Sequence, residues 1–337
     1  MTTYRSLVVT GPGEHGLQRI ERAPLDDNQV RVRVAAVALC GTDFKLLSGR
    51  LHDANYPVVP GHEWSGYVLE APNAPELVGE LVVAAIYSPC GVCSWCRLGE
   101  SQHCVHLEEI GFTQPGGCAE EVVVPLRNVR RVPEGITAGA ACLLEPLTVA
   151  IHAVDRAPVL DGRTVVVLGG GAVGLLVVQL AIALGATAVV VEPNEHRREL
   201  GASLGATVAS DAGDLEEGSA DVVFDATGAA ASFVQGVRLV MPTGTLLLVG
   251  YSGDDRCEFA PSSLMLKEVT VRGVLSGYGT LDRAIDAVVR GSVRLEPLVA
   301  PAILFDDYAA LLEPATDRAP REPLLVSPEN RALGEEA

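Results

Sequence analysis

The sequence has few aromatic residues, few lysines and no long uninterrupted apolar run. Aromatic residues make up 4% of the 337 residues, and only two of the 25 basic residues are lysines, Lys45 and Lys267. The formal net charge is −18. Because binding to nucleic-acid phosphates depends on clustered Lys and Arg, this composition argues against a nucleic-acid partner.

The sequence also argues against membrane insertion and secretion. The apolar run Leu175–Leu184 includes Gln179 and is well short of the roughly 20 residues that cross a bilayer. The Met1 end has neither the basic nor the apolar segment of a secretion signal. We therefore expect a cytoplasmic protein with reduced thiols, in which Cys118, Cys142 and Cys257, without partners at ligand spacing, are small core residues.

Four cysteines lie within residues 88–106 at the spacing C-x2-C-x2-C-x7-C: Cys90, Cys93, Cys96 and Cys104. Four thiolates so close in sequence suit one tetrahedral zinc ion, and a shell closed by four thiolates leaves no position for substrate. The spacing therefore predicts a structural zinc. Two disulfides are the alternative, disfavoured in a reducing compartment. His103 and His106 flank the last cysteine as substitute ligands or solvated loop residues.

The first roughly 130 residues alternate between polar and apolar residues in short runs. Strands are predicted at 4–10, 29–39, 64–70, 81–86 and 120–125, separated by turns rich in Gly, Pro and Asn. Short strands of this kind predict an antiparallel, β-barrel-like domain.

Cys40, His62 and Glu63 provide a thiolate, an imidazole and a carboxylate, the donor set of a catalytic zinc with one open position. Each alone is weak evidence, since strand-end cysteines often lie in the core. Glu145 is a carboxylate in an otherwise apolar helical stretch that Pro146 interrupts. A buried carboxylate needs a partner such as a metal ion; local pairing at Pro146 is the alternative.

Residues 164–192 predict a strand, a glycine turn, a helix from Leu175 to Leu184 and a second strand. The turn fits the G-x-G-x-x-G pattern, which places a pyrophosphate at a helix N-terminus. Its predicted cofactor-binding residues are Gly169, Gly171, Ala172, Val173 and Gly174. Glu192 would accept hydrogen bonds from the ribose hydroxyls and repel a 2′-phosphate, which favours NAD over NADP, although Arg197 and Arg198 could hold that phosphate.

Strands and helices continue to alternate after residue 192, which predicts a parallel sheet. Dinucleotides bind at the carboxyl ends of such strands. We therefore expect further cofactor contacts from the loops that carry Thr227, Val249, Gly250, Leu275 and Ser276.

Five motifs occur in the order of one known family: C-G-T-D at 40–43, G-H-E at 61–63, the cysteines at 90–104, E-P-L at 145–147 and the glycine turn at 169–174. On these motifs the chain resembles the zinc-dependent medium-chain dehydrogenase/reductase family. The resemblance implies an α/β protein. Its GroES-like β-barrel catalytic domain would comprise residues 1–147 and 281–337, around a Rossmann NAD-binding domain with a doubly wound parallel sheet at 148–280, with the active site in the cleft between them.

The resemblance also implies roles and substrates. Thr42 would take the alcohol proton, Asp43 would orient His62, and Glu63 or Glu145 would complete the zinc site. Lys45 stands where many relatives have a relay histidine, so its role is open. Glutamate in E-P-L resembles the polyol, sugar and threonine dehydrogenases. Residues 56–66 and 111–120 resemble 2-deoxy-scyllo-inosamine dehydrogenases of aminoglycoside biosynthesis.

These features predict a zinc-dependent, NAD-linked oxidoreductase for a small polar alcohol, either a polyol or an aminocyclitol. The alternatives are a dehydrogenase of a simple secondary alcohol, a sugar or a threonine-like hydroxyl, and an inactive NAD(H)-binding protein. By analogy with relatives, we expect a homodimer or a homotetramer.

Overall fold

The computed structural model describes residues 2–51, 54–251, 256–299, 302–309 and 323–325. His52, a loop histidine that could contact a polar substrate, lies outside these residues. The chain divides into two compact units: the first runs to Glu145 and resumes at Val299, and the second covers Pro146–Leu298. The second unit therefore extends past residue 280, the end expected from the sequence.

The first unit is a β-structure with short helices. Its strands up to the unit boundary are β1 (Thr3–Gly11), β2 (Glu14–Glu21), β3 (Gln29–Ala38), β4 (Glu63–Glu70), β5 (Leu81–Ala84), β6 (Tyr87–Ser88), β7 (Glu108–Glu109), β8 (Glu121–Pro125) and β9 (Val129–Arg131). Its helices are α1 (Gly41–Leu47), α2 (Ser94–Arg97) and α3 (Ala138–Ala141). Strand β3 pairs antiparallel with both β4 and β8. Its alternate valines Val30, Val32 and Val34 are fully buried, as the sequence pattern predicts.

The second unit alternates strands and helices around a parallel sheet. Its elements are α4 (Leu144–Arg156, which contains the unit boundary), β10 (Thr164–Leu168), α5 (Ala172–Ala183), β11 (Thr187–Val191), α6 (Glu195–Ser203), β12 (Thr207–Ala209), β13 (Ala220–Asp225), α7 (Ala230–Leu239), β14 (Val240–Leu248), α8 (Ser262–Met265), β15 (Thr270–Gly273) and α9 (Leu281–Val289). The strand order is β12-β11-β10-β13-β14-β15, with every neighbouring pair parallel. This confirms the predicted Rossmann-type sheet, which positions the carboxyl ends of its strands at one edge.

The chain then returns to the first unit. Strands β16 (Ile303–Leu304) and β17 (Pro323–Leu325) pair in parallel, and β17 pairs antiparallel with β3. Near this return, Arg5 forms an ion pair with Asp306. The first unit is therefore built from two separate stretches of sequence.

The helical stretch Ala138–Arg156 is long and apolar enough to cross a membrane by length and composition alone. However, 67% of its apolar window is buried inside the protein, as in the core helix of a folded domain. Cys118 and Cys142 are buried as predicted, but Cys257 is exposed, so the prediction that it lies in the core is wrong.

Candidate active site and metal centres

Helix α1 begins directly after Cys40 and fixes the first candidate ligand. The N–H of Thr42 donates to Cys40 Sγ at 3.1 Å, and the N–H of Cys40 donates to Asp43 Oδ2 at 2.8 Å. This reciprocal arrangement is a capping box in which a thiol replaces the usual hydroxyl. The cap that starts the helix therefore also orients the sulfur.

His62 and Glu63 reach the same place through the strand ladder. Glu63 pairs with Ala38 across β4 and β3, and Cys40 follows the end of β3. Cys40 Sγ lies 3.1 Å from His62 Nε2, and one donor atom from each of Cys40, His62 and Glu63 lies within 4.8 Å of the others. Their exposed fractions are 7%, 6% and 1%. Glu145 is partly buried and is not a member of this group.

Asp43 provides a buried negative charge beside the imidazole. It is fully buried, and its Oδ1 accepts the N–H of Gly61 at 3.2 Å and lies 3.5 Å from His62 Nδ1. Burial raises the pKa of Asp43, but the charge of His62 and the hydrogen bonds to the carboxylate outweigh burial and lower it. Burial likewise lowers the pKa of His62, but Cys40 and Asp43 raise it well above its ordinary value. The surroundings of His62 thus favour positive charge.

This donor set fits a zinc ion. A thiolate, an imidazole nitrogen and a carboxylate are zinc ligands that leave a fourth position open, and a ligating histidine commonly presents its other nitrogen to a carboxylate. Nε2 of His62 faces Cys40, while Nδ1 faces Asp43. Cys40, His62 and Glu63 could therefore hold the metal.

Two further predicted residues lie on helix α1. Thr42 is half-buried in its first turn, next to the candidate sulfur ligand. Lys45 is half-buried near the end of the helix and is engaged with other groups of the protein. A role for either residue in proton transfer stays a prediction.

The four clustered cysteines form a second candidate centre, in which one sulfur from each lies within 4.8 Å of the others. The structure pairs none of the eight cysteines in a disulfide, which favours the metal site over the disulfide alternative. The N–H groups of Cys90 and His106 donate to Cys104 Sγ at 3.3 and 3.4 Å. The N–H of Cys96 lowers the pKa of Cys93 to about 6, which favours the thiolate that zinc requires. The ring of His103 packs at a tilt against Trp95, with centroids 5.4 Å apart, and neither His103 nor His106 belongs to the sulfur group.

In the second unit, the glycine turn connects β10 to α5. Gly169 has a φ of +100°, which side-chain-bearing residues rarely adopt, and a Cβ at Gly174 would lie 1.9 Å from the carbonyl oxygen of Gly169. A Cβ at Gly171 would meet nothing within 4 Å. The helix begins at Ala172 and Val173 without a side-chain cap. The turn thus has both the tight packing and the open space that a pyrophosphate needs.

Glu192 follows β11 and lies beside this turn. Its Oε2 accepts the N–H of Gly170 at 2.7 Å, and its Oε1 accepts the N–H of Asn194 at 2.9 Å. Arg197 Nη1 lies 4.0 Å from Glu192 Oε2, and Arg197 Nε has no hydrogen-bond partner in the described part of the chain. Carboxylate and guanidinium are therefore neighbours at the expected ribose position.

Asp225 organises the loops after β13 and β14. Its Oδ1 accepts the hydroxyl of Thr227 at 2.7 Å, and its carbonyl oxygen accepts the N–H groups of Val249 and Gly250, each at 2.9 Å. In the loop after β15, Ser276 has a φ of +59°, and its buried Oγ has no hydrogen-bond partner among the described residues.

Leu275, the neighbour of Ser276, is exposed. The predicted cofactor residues of the three loops thus lie at the carboxyl ends of parallel strands.

Models of known protein families match segments of both units of the chain. Residues 26–134 match the alcohol dehydrogenase GroES-like domain, and residues 172–290 match the zinc-binding dehydrogenase domain. L-Threonine 3-dehydrogenase of Pyrococcus abyssi is 31% identical over 308 residues, which are 85% of this chain and 87% of that protein. The chain belongs to the zinc-binding alcohol dehydrogenase family.

A further relative and a solved structure support the assignment of this zinc-binding alcohol dehydrogenase to its family. The 2-dehydro-3-deoxy-L-galactonate 5-dehydrogenase of Pseudoalteromonas atlantica is 30% identical over 289 residues, 81% of this chain and 83% of that protein. A crystal structure from Sinorhizobium meliloti 1021, described as a zinc-binding dehydrogenase bound to NADP, superposes with a TM-score of 0.90 at 27% identity. That match covers 97% of this chain and 100% of the other. The protein is thus an oxidoreductase of the zinc-type alcohol dehydrogenase class.

Three residues of the dehydrogenase that line these sites are absent from the sequence prediction: Gly170, Asp225 and Phe112. Gly170 and Asp225 hold the predicted cofactor loops through hydrogen bonds. An acidic residue that ends the apolar strand A-D-V-V-F-D is a sequence signal for Asp225. Phe112 carries no such signal, because a loop brings its ring to within 4.8 Å of the His62 ring, measured between centroids.

The glycine turn offers a test that separates cofactor binding from folding. Gly171→Ala should leave the melting temperature within about 2 °C of wild type, since the new methyl meets open space. It should weaken NADH binding at least about tenfold, because that space is where a pyrophosphate would lie. Gly174→Ala is the matched control and should lower the melting temperature itself. NADH fluorescence titration and thermal unfolding measure the two effects, and unchanged NADH affinity in Gly171→Ala would contradict the assignment.

Proposed function

We propose that this dehydrogenase transfers a hydride between NAD and a secondary alcohol of a polar polyol or aminocyclitol. The observation that carries the proposal is the convergence of Cys40, His62 and Glu63, from three places in the sequence, into one buried group of zinc donors. Relatives named for L-threonine and for a deoxy sugar acid support a substrate that carries several polar groups.

When bound, zinc supplies a Lewis acid for the alcohol oxygen, and NAD supplies the hydride acceptor. Cys40, His62 and Glu63 would hold the metal, and Asp43 lies beside Nδ1 of the imidazole, which leaves Nε2 facing Cys40. We assign Glu63 rather than Glu145 as the resting carboxylate ligand, because Glu63 belongs to the donor group.

The alcohol proton leaves through groups on helix α1. Thr42, whose backbone N–H donates to the Cys40 sulfur, would receive it at its hydroxyl oxygen and at the same time pass its own hydroxyl proton to a ribose hydroxyl of the cofactor. Lys45, on the same short helix, would accept that proton from the ribose in its neutral amine form; as an ammonium it would instead bind cofactor or substrate.

We infer that NAD is preferred over NADP. The Glu192 carboxylate lies against the glycine turn through Gly170 and would oppose a 2′-phosphate by like charge. Arg197 lies 4.0 Å from that carboxylate. The negative charge of Glu192 therefore offsets part of the positive charge of Arg197 that could otherwise attract a 2′-phosphate. The related structure that contains NADP makes the cofactor comparison a necessary part of the test.

The aminocyclitol part of the proposal rests on the likeness of residues 56–66 and 111–120 to 2-deoxy-scyllo-inosamine dehydrogenases. This activity would place the protein in aminoglycoside biosynthesis. By analogy with relatives we further propose a homodimer or a homotetramer, and from its free cysteines a cytoplasmic protein. A threonine-like amino alcohol is the second candidate, because the threonine dehydrogenase relative is 31% identical.

The test is a substrate panel with the zinc-loaded protein. Polyols, 2-deoxy-scyllo-inosamine, L-threonine and simple secondary alkanols are each offered with NAD or NADP, and reduced cofactor is followed by absorbance. We expect the highest kcat/KM with a polar substrate and NAD. NADH binding without turnover of any alcohol would instead indicate an inactive NAD(H)-binding protein.

A further inference from the structure

The loop after β15 packs directly against the backbone of helix α4. A Cβ at Gly277 would lie 2.3 Å from the carbonyl carbon of Thr148, so this close approach requires a glycine. Helix α4 is also joined to α9, which follows the loop, because Arg283 Nη2 donates to Asp155 Oδ1 at 2.8 Å. The loop therefore lies on a helix that is itself fixed within the second unit.

The hydroxyl of Thr280 fastens the end of this loop. Thr280 Oγ1 lies 2.7 Å from the carbonyl oxygen of Gly277 and 3.0 Å from that of Thr148, so its one proton can be donated to either carbonyl. The backbone N–H of Thr280 donates to the same Gly277 carbonyl at 3.2 Å. Thr280 and Thr148 are both buried, with exposed fractions of 6% and 7%. A buried hydroxyl thus joins the loop to α4.

Ser276, at the centre of the loop, has a conformation that must be held by its surroundings. Its φ of +59° is left-handed, which is unfavourable for a residue with a side chain. Its Oγ is buried and has no hydrogen-bond partner among the described residues. Strain and an unsatisfied polar atom both favour other arrangements of the loop. The contacts of Gly277 and Thr280 with α4 oppose that rearrangement.

The strand order places this loop on the nicotinamide side of the predicted cofactor site. In the order β12-β11-β10-β13-β14-β15, the glycine turn follows β10 and Glu192 follows β11. A dinucleotide lies across the glycine turn, with its adenosine ribose at the acid after the second strand and its other half over the strands on the opposite side. Strand β15 is on that opposite side, so we expect the loop after it beside the nicotinamide.

We propose that Thr280 is a positioning residue, whose hydroxyl holds the Ser276 loop in the conformation that receives the nicotinamide half of the cofactor. A loop that already has this conformation does not have to be ordered when the cofactor binds. If the loop leaves it in most molecules, the apparent affinity falls in proportion to the fraction that remains competent. Thr280 acts through the loop and need not touch the cofactor. The inference rests on the proposed NAD-dependent function.

The test compares NADH with ADP-ribose, which has the adenosine and the pyrophosphate but no nicotinamide. Isothermal titration calorimetry gives the Kd of each compound for zinc-loaded wild type, Thr280→Val and Thr280→Ser. Thr280→Val replaces the hydroxyl with a methyl group of similar size. Its Kd for NADH should rise about tenfold, while its Kd for ADP-ribose should change less than about twofold. Thr280→Ser keeps the hydroxyl and should bind both compounds as wild type does.

Thr245→Val is the matched control, because it makes the same change at a buried threonine of β14. It should leave both Kd values unchanged. An unchanged Kd for NADH in Thr280→Val, or an equal loss of affinity for both compounds, would overturn the role of Thr280 while wild-type binding upholds the cofactor. A wild type that binds neither compound would refute the proposed function, and this inference with it.

Thermal unfolding shows whether Thr280→Val folds, and if it does not, hydrogen–deuterium exchange of the wild type decides. Before any cofactor is added, the backbone amide of Thr280 should exchange at least about a hundredfold more slowly than in an unfolded chain, because the turn that it closes is already formed. Exchange at the unfolded rate that slows only with NADH would show that the cofactor orders the loop, and would overturn the inference.

Discussion

Replacing Cys40 with Ser should lower the zinc content from two ions per chain to one and reduce kcat/KM by at least about a thousandfold. Serine cannot supply a thiolate at neutral pH, and the remaining imidazole and carboxylate bind zinc weakly. Helix α1 should survive, because a serine hydroxyl at the same N-cap can accept the N–H of Thr42. The loss would therefore report on the metal rather than on the fold.

Zinc is measured by atomic emission spectrometry on the same samples used for kinetics. Cys257→Ser is the control, because this cysteine is exposed and belongs to neither sulfur-containing group. It should retain both ions and full turnover. Full activity of Cys40→Ser at half the zinc content would refute the assignment of the catalytic site.

Cys104→Ser should destabilise the protein by about 5 kcal/mol and lower the melting temperature by roughly 10 °C or more. The segment from Cys90 to Cys104 has only short elements, and Val92 and Leu98 are exposed rather than packed into a core. Metal binding must therefore supply much of the free energy that holds this segment together.

Differential scanning calorimetry with and without a chelator measures this contribution. The chelator should lower the melting temperature of wild type towards that of Cys104→Ser and change the variant much less. A Cys104→Ser protein that holds one zinc and melts like wild type would show that the second ion does not stabilise the fold.

Helices and strands can be predicted from local sequence patterns where one face of the element, or the whole element, is buried. Strand β3 shows its alternation directly, and the βαβ unit around the glycine turn carries both strand and helix patterns. Strand β2 escapes prediction because its sequence E-H-G-L-Q-R-I-E is exposed or half-exposed throughout and is held mainly by pairing with β1. Helix α1 escapes because its cap is a cysteine, which is not a common N-cap residue.

The candidate ligands can be predicted because zinc chemistry restricts the residue types. Cys40, His62 and Glu63 are recognisable in the sequence, and the ladder between β3 and β4 explains why they meet. Glu145 has an equally suggestive sequence position, yet the donor group forms without it. Phe112 shows the reverse case, since a turn brings its ring against His62 and no local sequence pattern reveals that contact.

The buried carboxylate of Asp43 ties the backbone of Cys40 to that of Gly61, on the two segments that supply the donors. These hydrogen bonds join protein atoms only, so a chelator should remove the ion and leave the ligands in place. Reloading would then be a simple docking step, complete within the mixing time of an assay. Within the described ranges, no buried carboxylate ties together the segments of the sulfur cluster in this way, so its reconstitution should lag behind the return of activity.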